Sequence, residues 1–254
     1  MATVVAVAAQ KGGVGKTTTA VHLAAGLARR GARVLLVDAC PQGQAAVHLG
    51  LEREPCLFEL LIRPPGSGPD PLTLIRPARE NLWLLPGDKE TGVLQVVLAA
   101  RMDPLDVFER ALRPLRARFR YIVIDTGPGM GGLQERALFA ADLVVVPVQV
   151  DFLGADGAER VLETLGILRE RGGRAPGLAG VLPTFYDEVT RESRAVLSHL
   201  VSRFGEAVLS PVHRATVFRE AAARGRTVYE LGGPAAGRAA REYGLLVKRV
   251  QEVA

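Results

Sequence analysis

The sequence predicts an α/β fold, a mostly parallel twisted sheet with helices on both faces. Short apolar runs of strand length alternate with helix-length segments along its 254 residues. The runs are continuous rather than alternating, as in strands covered on both faces. Two of them end in an aspartate, and a glycine-rich turn separates the first run from the first helical segment.

In chain order, Val4-Val5-Ala6-Val7-Ala8-Ala9 reads as the first strand. The glycine turn follows and opens a helix near 18–30, with Ala20, Leu23, Ala24 and Leu27 at helical spacing. Val34-Leu35-Leu36-Val37-Asp38, Leu82-Trp83-Leu84-Leu85-Pro86, Tyr121-Ile122-Val123-Ile124-Asp125, Leu143 to Val148 and Leu178 to Leu182 are the further strands. Helices are expected near 104–118, 132–140, 155–171, 189–204 and 237–252. The Pro/Gly-rich stretch Arg63 to Pro71 reads as a surface loop. Without repeats or low-complexity tracts, one domain over 1–254 is expected.

Composition narrows the class. Hydrophobic residues at 48% and charged residues at 23% are globular values. No apolar run approaches the roughly 18–20 residues of a transmembrane helix, so no membrane is expected. A strand begins within three residues of Met1, which leaves no room for a secretory signal. Cys40 and Cys56 lack a paired spacing, which points to reduced thiols in a cytoplasmic protein. His22, His48, His199 and His213 show no metal-ligand spacing. A net charge of +5 permits a polyanionic partner.

The glycine turn is the most informative segment. Lys11-Gly12-Gly13-Val14-Gly15-Lys16-Thr17-Thr18 lies between strand and helix, the context in which such a loop binds phosphate. Glycines let backbone N–H groups curl toward an anion, and the helix N-terminus adds its positive end. Lys16 supplies a point charge for the β/γ-phosphates of a nucleoside triphosphate, and the Thr17 hydroxyl is placed for Mg²⁺. Gln10 stands where the general pattern has its first glycine, and a second lysine, Lys11, opens the loop. The chain has four lysines among 32 basic residues, and two of the four are here. Asp125 after Ile122-Val123-Ile124 has the form of a Walker B aspartate, aimed at the Mg²⁺ shell. Asp38 ends the strand after the first helix, also beyond a carboxyl edge where ligands of open α/β sheets sit.

This loop resembles the deviant Walker A loop of the ParA/MinD group of P-loop ATPases. Val34–Gly43, Pro147-Val148-Gln149, Gly157 to Leu165, and Arg214 to Val228 resemble the ParA/Soj partitioning ATPases along nearly the whole chain. The resemblance implies ATP and Mg²⁺ as cofactors and a homodimer when ATP is bound. In it, Lys11 reaches the partner's nucleotide. It further implies coating of double-stranded DNA without sequence preference, release by a ParB-type adaptor that stimulates hydrolysis, and a nucleoid-associated location. Lys11, Lys16, Asp38 and Asp125 would carry catalysis, with Thr17, Asp38 and Asp125 on the metal, partly through water. Thr184 and Pro211-Val212 would lie near the adenine. No helix-turn-helix extension is expected before the first strand.

Two departures stand out. The family's Asp-x-Asp-Pro-Gln-Gly reads Asp38-Ala39-Cys40-Pro41-Gln42-Gly43 here, so a thiol occupies the place of the aspartate credited with orienting the attacking water. A slow ATPase in which Asp38, Gln42 or Asp125 holds the water, a long-lived ATP-bound switch, and a redox role or a trapped ATP state all stay open. Second, a family arginine falls on Val189, with Arg191 or Arg194 as its substitutes. Eleven basic and five acidic residues lie between Arg191 and Arg249. Arg191, Arg194, Arg214, Arg219, Arg224 and Arg226 are therefore the DNA-binding candidates. A ParA-like ATPase that positions a protein or organelle cargo is an alternative. So is a MinD-like membrane switch, whose tail would be Gly244 to Val250.

Overall fold

The computed structural model describes residues 1–63, 67–129, 132–151 and 154–254. Seven strands form one sheet in the order β3-β4-β2-β5-β1-β6-β7. These are β1 (Thr3–Val7), β2 (Val34–Ala39), β3 (Arg76–Arg79), β4 (Leu82–Leu85), β5 (Tyr121–Thr126), β6 (Leu143–Gln149) and β7 (Gly177–Thr184). All neighbours are parallel except β3, which pairs antiparallel with β4. The predicted class therefore holds, and the antiparallel edge strand β3 is an addition to it. The central strands are buried on both faces, which is why they read as unbroken apolar runs.

Ten helices flank the sheet among the described residues: α1 (Lys16–Arg29), α2 (Gln44–His48), α3 (Cys56–Leu61), α4 (Glu90–Ala100), α5 (Val107–Arg116), α6 (Leu133–Ala140), α7 (Gly154–Gly172), α8 (Arg191–Phe204), α9 (Val217–Ala223) and α10 (Pro234–Val253). Apolar side chains of α1, α2 and α10 close one core with one face of the sheet. Those of α3 to α8 close the other. α1 is not the half-polar helix its spacing suggests. Thr19 through Ala28 are all buried, because the sheet, α2 and α10 enclose it. Its cost in polar burial is met locally. His22 bonds the Thr18 carbonyl through Nδ1, accepts the Val228 N–H at Nε2, and stacks on Tyr243. Burial holds the His22 pKa down at about 4 against an ordinary 6.5.

The first strand stops at Val7 rather than Ala9, and α1 starts at Lys16 rather than residue 18. Residues 64–66 of the expected Arg63–Pro71 loop lie outside the described residues. The Gly244–Val250 tail belongs to α10 and spends Leu246, Val247 and Val250 on the core, leaving Leu245 exposed. Among the described residues no helix is long and apolar enough to cross a membrane.

Candidate functional site

The register of the sheet builds the site. β1, β2 and β5 lie side by side, and Asp38 pairs with Asp125 across the β2–β5 ladder. Both carboxylates thus reach the carboxyl edge at one level, beneath the loop between β1 and α1. That loop turns through Gly13 and Gly15, at φ of 77° and 88°, where a side chain would be strained. Gly15 caps α1 without any side-chain bond to the free N–H groups, which leaves them for an anion. The Lys16 ammonium reaches back to the Lys11 carbonyl at 2.9 Å and folds over the loop. Burial lowers the Lys16 pKa, while Asp125 favours its charged form. The Thr184 hydroxyl donates to the Val14 carbonyl at 2.9 Å, tying β7 to the loop.

The two aspartates are treated differently. Asp38 accepts the N–H of Cys40 at 3.1 Å and of Ala45 at 2.9 Å. It therefore shapes the Cys40–Gly43 turn and the start of α2. Burial and the neighbouring Asp125 push its pKa well above the usual carboxylate value, against the pull of those amides. Asp125 is completely buried, and both its oxygens lack a hydrogen-bond partner. Burial raises it to about 7; the Thr17 hydroxyl and Lys16 pull the other way. An orphaned buried carboxylate is costly unless a cation comes to it. Hard oxygen donors from Asp125 and Thr17 suit Mg²⁺, which takes one or two carboxylates and leaves its other positions to phosphates and water. Among the described residues no group of three or more His, Cys, Asp or Glu could hold a metal ion.

That orphan has a measurable consequence. Between its ordinary value of 3.8 and about 7, the folded protein holds a proton that the unfolded chain has lost. Stability of the nucleotide-free protein should therefore fall as pH rises through that window. Asp125→Asn should flatten the fall and raise the melting temperature at pH 8 by several degrees. Thermal melts at pH 5 and pH 8 check this. An unchanged pH slope contradicts it.

Two pockets adjoin. One, of about 260 Å³, is lined by Gly12, Gly13, Gly15, Lys16, Thr17, Thr18, Cys40, Gln42, Gln44, His48, Thr126, Pro128 and Phe185. The other, of about 630 Å³, shares Gly15, Thr18, His48 and Phe185 with it. It continues along Thr184, Val212, His213, Arg214, Phe218, Arg219 and Tyr243. Thus a triphosphate-sized groove runs into a larger apolar one. Val212 lines the larger pocket, and Pro211 is not among its lining residues. Cys40 faces the phosphate pocket, 6% exposed, its thiol pushed up to about 11 chiefly by burial.

Other expected residues are placed less simply. Lys11 is paired in its own chain with Asp151, Nζ to Oδ2 at 2.8 Å. Arg214 and Arg219, expected on DNA, line the larger pocket, and Arg214 lies over the Phe185 ring. Arg191 and Arg194 are exposed at the start of α8; Arg224 and Arg226 are exposed after α9. Phe185, at φ 55°, is a site residue that sequence reasoning misses. No local sequence signal marks a left-handed phenylalanine, and only strand β7 ending at Thr184 hints at the place.

The family model described as "AAA domain" matches residues 2–175. The chain is 38% identical to the chromosome-partitioning ATPase Soj of Thermus thermophilus, over 88% of this chain and 86% of that protein. It is 35% identical to the chromosome partitioning protein ParA of Caulobacter vibrioides, over 82% and 79%. Among solved structures, cobyrinic acid a,c-diamide synthase from Mycobacterium smegmatis, with an ATP analogue and magnesium bound, superposes with a TM-score of 0.83. Its identity is 30%, over 99% of this chain and 95% of that one.

Proposed function

The chain belongs to the ParA/MinD group of P-loop ATPases, and on that footing we propose that it is an ATP-dependent dimerising switch acting on DNA. In this reading the backbone from Lys11 to Thr18 cradles the phosphates, and the Lys16 side chain neutralises the β/γ end. Asp125 and Thr17, with Asp38 beside them, would hold Mg²⁺. When bound, Mg²⁺ supplies charge neutralisation across the β- and γ-phosphates. The adenosine end takes the larger pocket along Phe185 and Val212. The ATP form pairs with a second copy and coats double-stranded DNA without sequence preference. A ParB-type adaptor stimulates hydrolysis and releases it, which places the protein on the nucleoid. The adaptor decides whether the cargo is a chromosome, a plasmid or a protein assembly.

One observation carries the reading: a fully buried carboxylate without a close hydrogen bond, set beside the Thr17 hydroxyl, Lys16 and an amide-lined loop. The direct test is equilibrium binding of ATP with and without Mg²⁺, in wild type and Asp125→Asn. Magnesium should strengthen ATP binding in wild type and have little effect in the variant. No binding in either condition contradicts the site.

The dimer arm rests on Lys11. Its pair with Asp151 is partly exposed on both sides, and such pairs contribute only about 0–1 kcal/mol. Exchange of Asp151 for a triphosphate in a second copy is therefore easy. Lys11→Ala should leave the monomer's melting temperature and ATP affinity nearly unchanged while abolishing the ATP-dependent rise in mass. Light scattering with ATP reads the mass, and melting curves and titrations read the rest. An undiminished dimer rules the role out.

The diamide synthase offers a second reading, ATP-driven activation of a carboxylic acid, and the 630 Å³ pocket gives it a place. Amide formation needs a nitrogen donor, and a common source is ammonia released from glutamine by a thiolate. Both thiols here, Cys40 and Cys56, are buried and pushed up to about 11, unsuited to that work. ATP turnover that requires a small carboxylic acid and ignores DNA would favour the second reading.

A further inference from the structure

The larger pocket carries more positive charge than a nucleoside needs. Adenosine is uncharged, and its flat base is served by Phe185, Val212, Phe218 and Tyr243 on the apolar walls. Yet Arg214 and Arg219 also line this cavity, with His48 and His213, and no aspartate or glutamate does. Two further cavities differ in this respect. One brings Glu80 and Glu230 to Arg29 and Arg79, and the other brings Glu252 to Lys248 and Arg249. Arg191, Arg194, Arg224 and Arg226 are exposed as well, but they line none of these cavities and no part of the phosphate pocket.

Neither arginine is neutralised within the chain. Among the described residues Arg214 and Arg219 have no carboxylate partner and no side-chain hydrogen bond. Glu242, which holds the His213 ring at 2.7 Å, is shared with Arg238, and Arg238 also takes Glu188. Glu220 is the neighbouring exposed acid on α9, outside the cavity lining. Both arginines are nevertheless held in place. The Arg214 N–H donates to the Tyr186 carbonyl at 2.9 Å, and the Tyr186 N–H donates to the Val212 carbonyl at 3.1 Å. Residues 212–214 are thereby laced to the segment after β7. There the Arg214 guanidinium lies 5.6 Å from the centre of the Phe185 ring. Stacking uses the flat face of a guanidinium and leaves its N–H donors free. Arg219 follows Phe218, whose ring packs edge-on against His22 at 5.6 Å and Tyr243 at 5.7 Å. Each cation thus stands beside an anchored aromatic wall.

We propose that Arg214 and Arg219 form a second anion site, which takes a phosphate on the ribose of a purine nucleotide whose 5′-phosphates occupy the glycine loop. The proposal rests on the nucleotide reading above and adds a ligand class to it: nucleotides phosphorylated at the 5′ and at the 2′ or 3′ position, which compete with ATP for one site. The continuity of the two pockets supports it. Gly15, Thr18, His48 and Phe185 belong to both, so the point where a 5′-phosphate meets its ribose falls between them. A group on the ribose hydroxyls then enters the cavity that the arginines line. Guanidinium donors match phosphate oxygens, and such charge-assisted bonds are stronger than neutral ones. A duplex backbone is the other source of phosphate for these side chains. An aromatic-walled cavity that continues the nucleotide groove suits it less well than a flat cationic face does.

The test is displacement of radiolabelled ATP, with Mg²⁺, by AMP, adenosine 2′,5′-bisphosphate and adenosine 3′,5′-bisphosphate. The quantity read is the ratio of each bisphosphate to AMP within one protein, so that changes in the shared nucleoside contacts cancel. In wild type at least one bisphosphate should displace ATP about tenfold or more better than AMP, and which one does so locates the phosphate on the ribose. Arg214→Gln combined with Arg219→Gln should bring that ratio to within about twofold of one. Arg113→Gln combined with Arg118→Gln removes the same charge from exposed positions elsewhere and should leave the ratio unchanged. If the first double variant melts early, Arg219→Gln alone must lower the ratio at least about threefold. Equal displacement by all three nucleotides in wild type, or a preference that survives in the Arg214/Arg219 variant, overturns the proposal and spares the ATP site. A wild type that does not retain labelled ATP overturns both. A ratio of one in wild type, beside a DNA duplex that only the Arg214/Arg219 variant fails to bind, gives the two arginines to DNA and overturns the proposal.

Discussion

Replacing Cys40 by aspartate is expected to raise ATP turnover by roughly 10²–10⁴-fold, the usual worth of a positioned acid or base. Cys40 lines the phosphate pocket together with Thr18 and Gln42, and burial pushes its thiol up to about 11, so at pH 7 to 9 it is neutral. A neutral thiol accepts hydrogen bonds poorly and offers no charge to orient water. Phosphoryl transfer depends mainly on positioning and on charge stabilisation, so Lys11 and Lys16 still act while the rate suffers. Asp38 is a poor replacement, since its oxygens are engaged by the Cys40 and Ala45 amides. Gln42 and Gln44 remain as neutral groups at the pocket wall. The same substitution should destabilise the nucleotide-free protein at pH 8, because a new carboxylate would stand beside Asp38 and Asp125, which already disfavour charge at this position. Magnesium and ATP should restore that stability. Phosphate release and melting curves of the two proteins read both effects. Equal turnover would mean that another group already holds the water.

Lys16→Ala is expected to weaken ATP binding by roughly 10²–10⁴-fold. That range follows from the roughly 3–5 kcal/mol typical of removing one partner from a buried charged site. Lys16 is 7% exposed, folds onto the Lys11 carbonyl, and faces Asp125. Its loss opens the loop and removes the cation that offsets both Asp125 and the incoming phosphates. Lys16→Arg should not rescue it, since a planar fork does not fit where a compact ammonium curls back over its own loop. Calorimetric titration with ATP and Mg²⁺ measures the change. Affinity within a few-fold of wild type contradicts the assigned role.

The strands that position these groups are legible because each is an apolar run that stops at a functional residue. Val34–Asp38 and Tyr121–Asp125 are the clearest cases, and the loop between Lys11 and Thr18 carries its own chemistry. α4 is not legible: Gly92 to Ala100 reads GVLQVVLAA without a polar face, and the helix leaves Val93 and Val96 exposed. β3 escapes notice because Arg-Pro-Ala-Arg is a polar edge strand running against its neighbour. α2, α3 and α9 are too short to show a period. Within the site, pairs far apart in sequence are invisible. Lys11 meets Asp151 across 140 positions and Val14 meets Thr184 across 170. Counting basic residues between Arg191 and Arg249 locates charge but not its surroundings. Two of the residues it points to, Arg214 and Arg219, line the larger pocket.

Sedimentation velocity of the wild-type chain with Mg²⁺ and a non-hydrolysable ATP analogue, beside the same run with ADP, tests the central claim most directly. A species of twice the monomer mass with the analogue, a monomer with ADP, and a monomer for Lys11→Ala under both conditions are the predicted result. A mass that does not respond to the γ-phosphate would contradict it.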